Sequence, residues 1–182
     1  RRHTFERLRD FDAVVLLTEA QRRDVQEAYG PLENLHVCPN SRTISDPPHD
    51  LASRPKERGI ALGALVKGKR FSHAIRAVRA ARRRGARVSL DIYGEGPQRA
   101  GLTKVVADHE LETSVRLEGY TARPMDALAR ASFLLMTSNR EGFGLVLIEA
   151  MSQGCIPIAY DIRYGPSDII TDGVDGFLVP PG

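Results

Sequence analysis

Short β-rich apolar runs alternate with stretches of helical period along almost all of the 182 residues. Ala13-Val14-Val15-Leu16-Leu17-Thr18 reads as a buried strand, and the charged stretch 19–29 as a helix stopped by Gly30-Pro31. Leu35-His36-Val37-Cys38 predicts a second strand that ends at Pro39-Asn40. Pro47, Pro48 and Pro55, with few apolar neighbours, make 41–58 a linker or long surface loop. A second series starts at Gly59, with strands over 60–66, 88–93, 114–117, 133–137, 156–160 and 177–179. Helices are expected near 72–84, 97–109, 124–131, 143–153 and 166–171. Over 73–83 the spacing sets Ala74, Ile75, Ala77, Val78 and Ala81 on one side and Arg76, Arg79, Arg82 and Arg83 on the other. This alternation predicts an α/β chain with a doubly wound, Rossmann-like parallel sheet and right-handed crossovers. Ligands of such sheets bind in the loops after the carboxyl ends of the strands.

Composition alters that picture little. With 42% hydrophobic and 27% charged residues the chain is an ordinary soluble globular one, which excludes disorder, collagen and a disulfide scaffold. The net charge is 26 − 23 = +3, and 22 of the 26 cations are Arg. Arg suits planar recognition of phosphate and carboxylate, although GC-rich coding bias yields the same imbalance. No stretch approaches the roughly 18 apolar residues of a membrane span, and no signal peptide is visible. Cys38 and Cys155 lack neighbours at metal spacing, so no metal site is expected and both read as free thiols of a cytoplasmic protein. Arg1 at the start, and Pro180-Pro181-Gly182 directly after an apolar run at the end, read as the borders of a fragment.

Three segments carry candidate chemistry. Gly63-Ala64-Leu65-Val66-Lys67-Gly68-Lys69-Arg70 is close to a P-loop, but Arg70 stands where Ser or Thr must hold Mg²⁺. What remains is a glycine turn with Lys67, Lys69 and Arg70, placed for a polyanion or simply a solvated basic loop. Tyr93-Gly94-Glu95-Gly96-Pro97 invites a dinucleotide fingerprint, yet its third glycine would be Arg99. A tight turn that admits a base or ribose is the more modest reading. The third segment runs from Ser138 to Met151, where a strand enters a loop containing Gly142 and Gly144 and then an apolar helix. Both glycines are expected to turn the backbone and leave the helix's first N–H groups open as an anion site. Glu141 and Glu149 bracket it, and a carboxylate on an apolar helix needs partners, either sugar hydroxyls or a neighbouring cation. Tyr164-Gly165-Pro166-Ser167-Asp168 is either a second anion or hydroxyl site or a capped helix start. His73 and His109 read as helix-surface residues without chemistry.

Glu141-Gly142-Phe143-Gly144 with Glu149 resembles the E-x7-E signature of retaining glycosyltransferases of the GT-B fold, family 4 or "group 1". Gly63 to Arg70, Ile92 to Pro97, Leu117-Glu118-Gly119-Tyr120 and Asp172 to Val179 extend the likeness, in order, over about 59–182. The run Tyr164 to Ile170 looks most like bacterial enzymes that add glucose or N-acetylglucosamine to poly(polyol-phosphate) teichoic acids. The resemblance implies that 1–40 ends an incomplete N-terminal acceptor domain and that 59–182 is a nucleotide-sugar-binding domain cut at its C-terminus. It implies that Lys69 steadies the donor diphosphate and that Glu141 bonds the donor sugar. By the same likeness Gly142, Phe143, Gly144 and Leu145 face phosphate and sugar, and Glu149 holds the ribose. Gly63, Tyr93, Gly94, Gly96 and Tyr120 would surround the nucleotide. Transfer would go from a nucleotide-sugar (UDP-glucose or UDP-N-acetylglucosamine) with retention and without metal or cofactor. The acceptor would be a polymer, a lipid-linked molecule or a glycan, bound by the missing domain. Nucleic acid is not an expected partner, and the full enzyme is expected in the cytoplasm, with peripheral contact at the inner membrane face.

One departure stands out. The family pattern has Arg five residues before the Lys, and here that residue is Ala64. Losing one cation from the leaving diphosphate costs on the order of 2–4 kcal/mol of transition-state stabilisation, with Lys67 and Arg70 the candidates to compensate. A nucleotide-binding module without catalysis is therefore the alternative reading.

Overall fold

A computed structural model describes residues 7–42, 51 and 53–182 of the chain. Pro47 and Pro48 of the expected linker lie outside the described residues. Among the described residues two parallel sheets form. In the smaller, β1 (Val14–Leu16) pairs with β2 (Leu35–Val37) across α1 (Glu19–Tyr29). The Thr18 hydroxyl accepts from Gln21 N at 3.1 Å to cap α1, and Gly30, at φ +78, ends it.

The larger sheet contains β3 (Arg58–Leu62), β4 (Ser89–Tyr93), β5 (Val115–Gly119), β6 (Phe133–Met136), β7 (Ile156–Tyr160) and β8 (Phe177–Val179). Their spatial order is β5-β4-β3-β6-β7-β8, all parallel. The chain winds outward from β3 to β5, then returns to lay β6 beside β3. That reversal puts the topological switch point between β3 and β6, where a crevice opens at the carboxyl ends.

Helices cover both faces. On one side α2 (Phe71–Arg83) and α3 (Arg99–Asp108) bury Ile75, Val78, Leu102 and Val106 with Ala61, Leu90 and Ile92 of the strands. On the other, α4 (Pro124–Ala129) and α5 (Leu145–Ser152) bury Leu128, Leu147 and Ala150 with Ile60, Leu134 and Met136. Ile60 and Ala61 thus enter opposite layers, as the two-residue period of a strand buried on both faces demands. The last helix, α6 (Pro166–Ile169), is a single turn.

The deviations from expectation have local causes. The strand foreseen over 60–66 starts at Arg58 and stops at Leu62, because Gly63 turns at φ +144 and Lys67–Lys69 closes a 3-10 turn. The helix foreseen from 143 begins at Leu145, behind Gly144 at φ +95. On α2, Ala77 faces water and Phe71 takes its place in the core. Arg54, inside the expected linker, is 9% exposed and donates to the carbonyls of Ala131, Gln153 and Gly154 at 2.7, 2.7 and 3.1 Å. It thereby satisfies the Gln153 and Gly154 carbonyls at the C-terminal end of α5 and the Ala131 carbonyl just after α4, which have no helical partners. Among the described residues no helix is long and apolar enough to cross a membrane.

Candidate functional site

The switch point is where the strongest motif lands. The loop after β3 brings Leu62, Gly63 and Lys69, and the loop after β6 brings Glu141, Gly142, Phe143 and Gly144. With Leu145, Val146 and Glu149 of α5 they line a cavity of about 410 Å³, closed on one side by Leu17 and Asn40. Those two follow β1 and β2, so the small sheet contributes a wall. Thr137 fixes the β3 loop from below, its hydroxyl shared between the carbonyls of Lys69 and Arg70 at 3.1 and 3.0 Å.

Gly144 is the hinge of the glycine loop. Its φ of +95 belongs to the left-handed region, and an added Cβ would lie 3.2 Å from Leu147 Cδ1. Gly142 was expected to turn likewise, but it lies outside that region; its carbonyl accepts from Gln21 Nε2 at 2.8 Å. Among the described residues no side chain caps α5, and the Leu147 N–H returns to the Gly144 carbonyl at 2.9 Å. The N–H groups before it have no helical acceptor, so the positive end of α5 opens toward the cavity.

Both carboxylates of the motif hold a cation. Lys69 Nζ donates to Glu141 Oε1 at 2.6 Å, with the carboxylate side chain only 13% exposed. Glu149, equally shielded, is paired with Arg42 at 2.7 Å. Arg42 was not foreseen, since it belongs to no motif; only the fold brings it to α5. Lys67 and Arg70, the candidates to replace the arginine missing at Ala64, line a different cavity with His73. Ala64 itself is exposed and lines a second space of about 350 Å³ with Tyr93, Gly94, Glu95, Tyr120 and Thr121. Leu62 and Gly63 line both spaces, so the two adjoin there.

Gly96 lines neither part of it. A Cβ there would lie 2.7 Å from the Leu65 carbonyl oxygen, and one on Gly94 would overlap the Gly63 carbonyl. Gly63 N donates to Tyr93 O at 3.0 Å and Leu65 N to Glu95 O at 2.8 Å. The G-x-G thus lets the two loops cross in contact beyond the end of their strands. The Tyr164-Gly165-Pro166 turn is a buttress: Gly165, at φ +104, sits against the Phe143 backbone, and Asp168 accepts from Gly165 N at 3.2 Å. Tyr164 and Arg163 both donate to Asp24 of α1. The hydrogen bond to Asp24 is the main cause that pushes the Tyr164 hydroxyl above its ordinary value, with burial adding to it. His73 is no bare surface residue either, since its Nδ1 lies 3.0 Å from the Tyr160 hydroxyl. Burial first, then Arg70 and Arg76, hold its imidazole below the usual range.

A family model for glycosyl transferases group 1 matches residues 50–182. The poly(glycerol-phosphate) alpha-glucosyltransferase of Bacillus subtilis (strain 168) is 32% identical over 182 residues, covering 98% of this chain. The poly(ribitol-phosphate) alpha-N-acetylglucosaminyltransferase of Staphylococcus aureus (strain COL) is 33% identical over 178 residues, again covering 98%. The chain spans 27% and 36% of the lengths of these two relatives. The crystal structure of the pneumococcal O-GlcNAc transferase GtfA, in complex with UDP and GlcNAc, superposes with a TM-score of 0.84 at 27% identity. That superposition covers 99% of this chain and 36% of GtfA.

Proposed function

The chain belongs to the group 1 glycosyl transferases, and we propose that it carries the donor site of a retaining hexosyl transfer. One observation supports this above all: at the switch point Lys69, Glu141, the open end of α5 and Glu149 converge on one cleft. At Gly63 the cleft adjoins the space lined by Tyr93 and Tyr120, which gives room for a nucleotide base beside the ribose carboxylate.

In this reading the diphosphate lies between Lys69 and the N-terminus of α5. An ammonium has three donors, so Lys69 keeps its bond to Glu141 while it reaches a phosphate oxygen. Glu141 accepts from the sugar and Glu149 from the ribose. The bond from the anomeric carbon to the diphosphate oxygen breaks as an acceptor hydroxyl attacks from the same face. The hydroxyl proton passes to the departing diphosphate, and configuration is retained. Lys69 and the helix dipole meet the growing negative charge, so neither metal nor cofactor is needed. The relatives are named for glucosyl and N-acetylglucosaminyl transfer to polyol-phosphate polymers, and GtfA is seen with UDP, which together support UDP-glucose or UDP-N-acetylglucosamine as the donor and such a polymer as the acceptor. The whole enzyme would work in the cytoplasm, at the inner face of the membrane.

Calorimetric titration with UDP, GDP, UDP-glucose, UDP-N-acetylglucosamine, ATP and NAD tests the proposal. Binding of UDP and one UDP-sugar, but not ATP or NAD, is expected; preference for ATP or NAD sinks it. Ala64 favours a second reading, a nucleotide-binding module without turnover. UDP binding with no sugar transfer by the enzyme containing this chain would favour that alternative.

A further inference from the structure

The donor cleft continues outward on the side away from the base. Glu141 and Gly142, which line the donor cavity, also line a wide groove with Gly68, Asn139 and Arg140. Asn139 in turn lines a cavity of about 330 Å³ with Lys67, Arg70, Ser72 and His73. The floor is continuous: Asn139 N donates to the Gly68 carbonyl at 2.9 Å, and the Asn139 Oδ1 approaches Gly68 so closely that a Cβ there would be 3.4 Å away.

Charge along this path has one sign. Among the described residues Glu141 is the only acidic residue lining it, and Lys69 already neutralises that carboxylate. Beyond it come Arg140, Lys67 and Arg70, and among the described residues neither Lys67 nor Arg140 has an ion-pair partner. The cations do not face the nucleotide, so the donor gives no account of them. They start at the end of the cleft where the sugar lies and lead away from it, which is the course of an acceptor chain.

We infer that this groove is an acceptor subsite that holds the phosphodiester groups of a polyanionic polyol-phosphate chain, with Arg140, Lys67 and Arg70 as its phosphate contacts. The inference rests on the donor reading above, because that reading decides which end of the cleft is the reacting end. It assigns part of acceptor binding to this chain, where the family resemblance places it in the other domain. Screened contacts at partly exposed cations are individually modest, so several in a row are required for useful affinity.

The test is fluorescence-anisotropy binding of a short labelled glycerol-phosphate oligomer to the chain saturated with UDP. Lys67→Gln/Arg140→Gln alters two exposed side chains and leaves the fold intact. The double variant is expected to weaken oligomer binding about tenfold, the loss of two modest contacts, while its affinity for UDP stays within about twofold, since neither residue lines the donor cavity. Unchanged oligomer affinity in the variant overturns the inference, as does displacement of the oligomer by UDP. Equal binding of a neutral dextran oligomer overturns it too, and so does inorganic phosphate competing at the oligomer's own concentration, which would make this a free-phosphate site. UDP titration of the same samples reports on the donor reading separately. Oligomer binding without UDP binding would sink the donor reading and with it the acceptor role of this groove, whereas UDP binding without oligomer binding would sink this inference alone.

Discussion

Replacing Ala64 by Arg tests the phosphate assignment at its weakest point. Ala64 is exposed and lines the base side of the cleft, directly after Gly63, which lines both sides. In the proposed donor site a guanidinium there is expected to reach the diphosphate alongside Lys69. A hydrogen bond to a charged group contributes about 1.5–3 kcal/mol net, and the exposure of this position argues for the lower end, about 1–2 kcal/mol. UDP should then bind about 5–30-fold tighter, while uridine, which has no phosphate, should bind as before. At saturating UDP the variant gains the same 1–2 kcal/mol of stability by linkage, about 3–6 °C in melting temperature for a chain of this size. Calorimetry supplies the affinities and thermal unfolding the independent check. One competing sink is Glu95, which lines the same space and pairs with Arg99 at 3.1 Å; adding Glu95→Gln removes it. If UDP affinity is unchanged in both Ala64→Arg and Ala64→Arg/Glu95→Gln, or if uridine gains as much as UDP, residue 64 is not on the phosphate.

In the proposed donor site Glu149→Ala removes the carboxylate assigned to the ribose, so UDP and uridine should both weaken about tenfold while pyrophosphate binding stays unchanged in the same calorimeter. Gly144→Ala should cost about 1–2 kcal/mol for its left-handed backbone, read as a lower urea midpoint. Gly94→Ala should cost more, because its obstacle is the Gly63 carbonyl rather than a movable side chain; a smaller loss would show that the two loops do not cross in contact. Burial pushes the Cys155 thiol up to about 12 against an ordinary 9.0. The unfolded thiol therefore ionises first, and stability relative to Cys155→Ala should fall between about pH 9 and 12, by about 1.4 kcal/mol per pH unit; exposed Cys38 should react with Ellman's reagent at once and Cys155 only on unfolding. His73 is held below its ordinary value, so the unfolded chain takes up its proton first. Acid should thus destabilise the protein below about pH 6.5, and His73→Gln should lose that share of the pH dependence in urea titrations.

The layer order, and the place of the site in it, were legible because they follow from periodicity. Apolar runs buried on both faces gave the parallel sheet, and the strand-to-helix junction at 137–145 carried its own anion-site logic. What the sequence hid depends on distance along the chain. Arg42 and Glu149 are 107 positions apart, and neither composition nor spacing connects them. Arg54 looked like part of a polar linker, yet it is buried as the anchor of three carbonyls. The G-x-G at 94–96 was legible as tightness but not as to what approaches. A glycine reports only that something is near, and here that is the 63–65 backbone.

The paired state of both carboxylates bears on how a donor enters. Glu141 and Glu149 are each 13% exposed, so leaving either uncompensated would carry a desolvation cost, and the protein meets it with Lys69 and Arg42. The two pairs differ in what they can yield. Lys69 is part-buried on a loop fixed by Thr137, and its ammonium can add a phosphate oxygen without leaving Glu141. Arg42 is 43% exposed beyond β2 and holds one carboxylate oxygen. A pair so open to water is worth about 1 kcal/mol or less, which two ribose hydroxyls can replace. In the proposed donor reading, the diphosphate end of the cleft is therefore preorganised and the ribose end exchangeable. On that reading the division would set the rigid charge where the leaving group develops its own, and the adjustable charge where binding alone is required.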